Sequence, residues 1–386
     1  MTTEIKANTA NDELDELKIV QPYQAWQAGE GIPSVGGYYV EDLGTVDVKP
    51  WARYGVLGSF VNLEGCGGVN DLHVIELPAG ASTNPVSHMY EALVYVVAGS
   101  GSTSVWYNEN EKQTFEWGTG ALFAIPLNAS YQFFNGSGLR PARLISVTTA
   151  PTIMSLFHND DFVFRNPFQF KDRFTGESGF FNGDGKMFRR ARNKVWDTNF
   201  IPDVRTIDLH SWKERGANGR NVMIELSNNT SAPHISEFPV GTYKKGHRHG
   251  PGAHVIILYG TGYSTLWFNE GDEQIKCDWK RNSVIVPPNN CFHQHFNTGN
   301  EPAAYLALKF GGRRYQPMAA WQGDKGDVSV KEGGNQIEYT DEERRIHEMF
   351  ESELAAHGAK CTMKGLVPWC TSDEGPGDLG ERGKMS

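Results

Sequence analysis

Three histidines in this sequence have the residue type and spacing to hold a metal ion. His247 and His249 are two apart, so on an extended strand their imidazoles share one face. His293 follows on a later strand-like run, FHQHFN. A lone histidine is usually a satisfied core or surface residue. Three imidazoles brought to one face of a small barrel make a divalent-metal site, because each neutral ring offers one lone pair. His295 shares the parity of His293. It either lines the same pocket as an acid/base or supporting group, or it is packed.

The elements that must position these side chains read as short strands. Apolar stretches such as HVIEL, ALVYVVAG, HVIILYG and YLALKF alternate with turn residues, among 43 Gly and 19 Pro. Clear helical periodicity is confined to TDEERRIHEMFESELAAHGAK. There Thr340 offers an N-cap, Glu343 completes a capping box, and Ile346, Met349, Phe350 and Leu354 form a stripe.

The strands repeat. A shift of 161 positions lays His73-Val-Ile-Glu76-Leu-Pro78-Ala-Gly80 on His234-Ile-Ser-Glu237-Phe-Pro239-Val-Gly241, and Gly99-Ser-Gly101 on Gly260-Thr-Gly262. One further residue brings Trp117 onto Trp279, Pro126-Leu-Asn128 onto Pro288-Asn-Asn290, and Phe134-Asn135 onto Phe296-Asn297. Such a run in fixed order means duplication, and predicts an all-β chain of two tandem barrels.

The residues of the second half resemble the cupins. Gly241, His247-Arg248-His249 and Gly260 have the order and spacing of the first cupin motif. Asn282, Pro288-Asn289-Asn290, His293 and Asn297 follow the second, with Asn at both of its Gly positions. Asn tolerates the left-handed backbone that such turns need. The resemblance implies a bicupin: two jelly-roll-like barrels and a C-terminal helix. It also implies a Glu ligand, whose position here is Ala253. His254 stands one residue later. Either a bulge swings it inward as a fourth ligand, or strand parity sends it to the opposite face. The first half carries Val86, His88, Ala92 and Tyr131 at the ligand positions, with Glu91 one residue off the Glu position. That barrel should bind no metal, so the expectation is one divalent metal per chain. His73 and His234, shared by both halves, read as architectural.

Three-His bicupins include gentisate-type and hydroxynaphthoate-type dioxygenases, and HRHGPGAHVIILYGTG has the spacing of the gentisate-type first motif. Here, however, the metal site is in the C-terminal barrel. The resemblance therefore implies Fe(II) first, and a dioxygenase cleaving a C–C bond of an aromatic, diketone or hydroxy-acid small molecule. Open adjacent positions on such a centre suit a chelating substrate and O₂ together. Mn, Ni or Zn would suit the alternatives: a hydrolase, lyase or decarboxylase. A non-catalytic small-molecule-binding bicupin is the third reading. Among cations that could face a carboxylate substrate, Arg248 alternates away from the two ligands, leaving Arg53, Arg220, Arg313 and Arg314. Trp267 and Phe292 could line an aromatic pocket, though Trp106 repeats Trp267.

Composition excludes other classes. The chain has 386 residues and a net charge of −10, which argues against a nucleic-acid partner. No apolar run approaches the ~20 residues of a membrane span, and the polar start predicts a cytoplasmic protein. Five cysteines, at 66, 277, 291, 361 and 370, read as free thiols. The expected organisation is a tail over 1–18, a metal-free barrel over 19–160, a linker over 161–205, a metal-bearing barrel over 206–335, and a helix with a tail over 336–386. The Phe-rich linker and the helix stripe both need cover, which favours a homo-oligomer.

Overall fold

The computed structural model describes residues 17–190, 193–316, 325–377 and 379. Most of the tail expected over 1–18, and part of the tail at the C-terminus, lie outside the described residues.

Two barrels stand in tandem, each built from one large and one three-stranded sheet. In the first, the large sheet runs Val56–Val61, Asp71–Leu77, Ala142–Thr148, Ala92–Ala98, Leu122–Ile125, and faces Ser130–Asn135, Ser100–Trp106, Gln113–Gly118. In the second, Arg220–Leu226, Ala232–Phe238, Ala303–Lys309, Ala253–Tyr259, Val284–Ile285 faces Ile275–Trp279, Gly262–Trp267, Phe292–Asn297. The strand order is that of two jelly-roll barrels of the cupin type. Strand exchange ties them together. Tyr39–Val40 adds to the second barrel's large sheet, and Phe200–Ile201 adds to the first.

The repeat is visible in the backbone. A bulge interrupts the pairing at Val97 in one barrel and at Leu258 in the other. Gly101 and Gly262 are fixed by close approach: a Cβ would come 2.0 Å from the carbonyl oxygens of Phe134 and Phe296 respectively. Asn282 and Asn290 adopt φ of 68° and 59°, the left-handed turns foreseen for them, and their first-barrel counterparts Gly120 and Asn128 take 98° and 59°.

The central strands are buried on both faces, which explains their unbroken apolar runs. Along Ala253–Tyr259, Val255 and Ile257 point into the barrel, while Ile256 and Leu258 join Leu72, Val74, Leu93 and Val147 in a core between the barrels. The linker phenylalanines Phe162, Phe164 and Phe174 pack onto the first barrel's core. Short helices Pro22–Glu30, Ala150–Phe157 and Asp160–Phe164, which the sequence pattern did not signal, also lie at this barrel.

The C-terminal helix spans Arg344–Ala356. Ile346, Phe350 and Leu354 are buried against Tyr243, Tyr263 and Phe296, on the outside of the second small sheet. The stripe is thus covered within the chain. Thr340 and Glu343 do not form the expected capping box. The helix starts after Glu343, whose side chain makes no cap bond, because Glu342 turns inward to Tyr243 and Gln294. No helix among the described residues is long and apolar enough to cross a membrane.

Candidate metal centre

The second barrel brings the three histidines together. His293 sits at the start of Phe292–Asn297. An isolated antiparallel bridge to His247, with backbone bonds of 3.0 and 2.8 Å, fixes the His247–His249 segment across from it. Candidate donor atoms from His247, His249 and His293 all lie within 4.8 Å of one another. Each ring binds a backbone carbonyl through Nδ1: His247 to Lys245 at 3.2 Å, His249 to Gly250 at 2.7 Å, and His293 to Cys291 at 3.1 Å. A ring that donates through Nδ1 keeps its lone pair on Nε2, so backbone geometry sets the tautomer that a metal needs. Burial pushes all three pKa values down, that of His249 to about 4, so the rings are neutral. Three neutral imidazoles suit Fe, Ni, Cu or Zn.

Around them lies a cavity of about 80 Å³, lined by Trp212, Arg215, Arg248, Lys309 and Arg313 among others. Among the described residues, no Asp or Glu lines it. At roughly 10–15 Å³ per water, this is room for a handful of waters or a small organic anion.

His254 does not join the three. Along its strand Ala253 and Val255 line the cavity, and alternation turns His254 outward into the contact between barrels, where Nε2 lies 3.4 Å from Cys66 Sγ. The bulge that could have re-aimed it falls further along, at Leu258. His254→Ala should leave metal content unchanged and cost about 2–5 kcal/mol through the buried void it creates. Metal analysis with denaturant titration checks both parts.

His295 lines the cavity, and its Nδ1 lies 2.7 Å from Ser264 Oγ, which also accepts from Trp279 Nε1 at 3.0 Å. The first barrel repeats the indole–hydroxyl bond, Trp117 to Thr103 at 2.9 Å, but places Phe133 where His295 would be. His234 also lines the cavity, and its Nδ1 has no partner among the described residues. Its repeat partner His73 bonds Asp71 through Nε2 at 2.7 Å, and its Nδ1 likewise has no partner among the described residues.

Among the arginines, Arg313 lines the cavity. Arg53, Arg220 and Arg314 pair with Glu30, Glu237 and Asp197. Arg248 lines it too, against the expectation from alternation. Its segment is held by isolated bridges from His247 to His293 and Gln336 and not by a strand ladder, so parity does not govern it. Trp267 and Phe292 stack on each other at 5.8 Å and do not line the cavity. Lys309 went unnoticed, although Tyr305, Ala307 and Lys309 share inward parity on one strand and a charge there was a readable signal. Arg215 ends the short 3-10 helix Lys213–Arg215, which offers no such signal.

In the first barrel the same positions are closed. Val86 and Tyr131 form the equivalent bridge, and the Tyr131 hydroxyl sits 3.0 Å from His88 Nε2, occupying the one candidate ligand atom. Glu91 accepts from the Thr230 and Ser231 amides at 2.8 Å and pairs with Arg173, so it tethers the barrels.

No family model and no curated protein matches the sequence. Similar solved structures include the formate complex of Lactobacillus farciminis oxalate decarboxylase, at 12% identity over 72% of this chain and 87% of that one, with TM-score 0.47. Another is Bacillus subtilis oxalate decarboxylase at pH 4.6, at 14% identity over 72% and 77%, with TM-score 0.46. From its own strand order, repeated bulges and paired ligand-position bridges, the chain has the all-β architecture of a two-barrel cupin.

Proposed function

We propose that this chain is a metal-dependent enzyme that decarboxylates a small carboxylate. The observation that supports this most is the lining of the cavity beside the three histidines: Arg215, Arg248, Lys309 and Arg313, with no carboxylate lining it among the described residues. Four cations around so small a space select an anion, and its size selects one of few carbons.

His247, His249 and His293 would hold one divalent ion. When bound, the ion supplies Lewis acidity toward the oxygens of the substrate. The other groups bind and move protons. Arg215, held by Asp327 at 3.1 Å, and Arg313 orient the anion. Trp212 and Tyr305 wall the cavity against water. Loss of CO₂ leaves an electron pair on carbon that must take a proton, and Lys309 is the group best matched to deliver it. Burial, followed by Arg313 and Arg215, pushes its pKa down to about 7. His295, held down at about 3 by burial, is neutral and serves as a hydrogen-bonding wall.

A dioxygenase is the second reading, favoured by a donor set without a carboxylate, which leaves several positions for substrate and O₂. Fe(II) would then be the metal; Mn, Ni or Zn would serve the decarboxylase. Substrate binding, a cytoplasmic location, a homo-oligomeric state and the absence of nucleic-acid partners remain part of the same proposal. Screening short mono- and dicarboxylates separates the two reactions. The decarboxylase releases CO₂ and takes one solvent deuteron into the shortened product. Product labelled from ¹⁸O₂ would reject it in favour of the dioxygenase.

A further inference from the structure

A second cluster of donor atoms lies far from the cavity, on the outer side of the second barrel. His347 and Glu351 are one turn apart on the C-terminal helix, with Nε2 3.2 Å from Oε1. Cys361 and Cys370 follow on the segment after the helix, with Sγ atoms 3.6 Å apart. All four donor atoms lie within 4.8 Å of one another. We propose that His347, Glu351, Cys361 and Cys370 form a structural site for a thiophilic divalent cation, Zn²⁺ by preference. This inference is independent of the reaction assigned to the cavity.

Geometry supports it first. Tetrahedral zinc takes sulfur at about 2.3 Å, and nitrogen and oxygen at about 2.0–2.2 Å. Those bonds set an S···S edge of about 3.8 Å and an N···O edge of about 3.4 Å. The two edges present, 3.6 and 3.2 Å, fall close to both. The remaining edges are all within 4.8 Å.

Proton placement supports it independently. The Tyr243 hydroxyl donates to Glu342 Oε1, so its contact with His347 Nδ1 at 3.1 Å is made by Nδ1–H donating to it. In a neutral ring, that leaves the Nε2 lone pair facing Glu351 Oε1 at 3.2 Å, a contact that either a proton on Nε2 or a bound cation would satisfy. Two acceptors face each other there, and a cation between them resolves the conflict. A hydrogen-bond acceptor behind a ligating histidine, here the Tyr243 hydroxyl, fixes the tautomer and orientation of the ring.

The donors are pre-placed by backbone. Thr362, next to Cys361, bonds the Gly241 carbonyl through its amide at 2.9 Å and that of Val240 through its hydroxyl at 2.8 Å. Ser372 Oγ donates to the Cys361 carbonyl at 2.5 Å. A surface groove lined by Glu351, Cys361, Asp373 and Glu374 gives the ion a route in. With four protein ligands the site is closed, which marks it as structural. It would clamp the C-terminal segment to the helix. From His347, Tyr243 leads to Glu342, and Glu342 accepts at 3.1 Å from Gln294, the residue between His293 and His295. The cation thereby braces the strand that carries the catalytic-side histidines.

The test uses the full chain purified with reductant, loaded with Zn²⁺ alone or Co²⁺ alone. Two metals per chain are expected, one more than the single barrel ion expected from the sequence: one lost in the Cys361→Ser/Cys370→Ser variant and the other in His293→Ala. The Co²⁺ protein should show an intense thiolate-to-metal charge-transfer band that survives His293→Ala and disappears with the two serines. Should the double variant fail to fold, the band in wild-type protein and its loss in His347→Ala decide the matter. A cobalt spectrum with no thiolate band would overturn the proposal. So would a Cys361–Cys370 disulfide that persists under these conditions and leaves one metal per chain.

Discussion

His293→Ala is expected to empty the barrel centre of metal and to abolish turnover, while the double barrel stays folded. Losing one of three imidazoles removes a full coordination bond, a larger loss than the 10–100-fold drop typical of changes behind the ligands. The fold survives because the His247–His293 bridge is made by backbone groups, at 3.0 and 2.8 Å, which alanine retains. Its cost in stability is that of a buried ring, about 2–5 kcal/mol. His247→Ala and His249→Ala should behave alike. His88→Ala, in the other barrel, should leave the metal in place, because its Nε2 is already taken by Tyr131. Elemental analysis alongside circular dichroism reads both outcomes. A variant lacking His293 that still carries this metal would remove the barrel centre from the account.

Lys309→Met is expected to lower kcat/KM by about 10²–10⁴-fold with metal content unchanged, the range for loss of a positioned proton donor. The pH profile carries the sign. With a pKa of about 7, Lys309 is cationic below that pH and neutral above it. Because kcat/KM reports the free enzyme, it should fall as pH rises through about 7, and this limb should vanish in Lys309→Met. The charges facing Lys309 are Arg313, Arg215, Glu225 and Arg190, with His234 and His249 near it. The arginines do not titrate in this range, and burial keeps both histidines neutral at pH 7. A variant that keeps the wild-type profile would show that Lys309 only fills space.

Much of this was legible in the residues. The repeat of His73–Gly80 on His234–Gly241, and of Gly99–Gly101 on Gly260–Gly262, carried the two barrels because close backbone approach and turn conformation leave few residue choices. The His247, His249 and His293 cluster was legible because two-residue spacing survives even in a segment held only by isolated bridges. His254 was ambiguous: parity and bulge position both decide where a ring points, and bulges leave no mark in composition. The cationic lining was mostly hidden. Arg215 reaches the cavity from a short 3-10 helix and Arg313 from an irregular segment, and the path of both depends on tertiary packing. The inward turn of Glu342, which displaced the expected helix cap, depends on Tyr243 and Gln294, nearly 100 and 48 residues away. The pairing of Cys361 with Cys370 was hidden for a similar reason, since their spacing matches no short metal motif.

An anomalous-scattering map from crystals of the Mn²⁺-loaded chain tests the central claim most directly. The account predicts a peak among the Nε2 atoms of His247, His249 and His293, bordered by Lys309 and Arg313, and none beside His88. A barrel peak at His88, or crystals loaded with Mn²⁺ that show no peak at the three histidines, would contradict it.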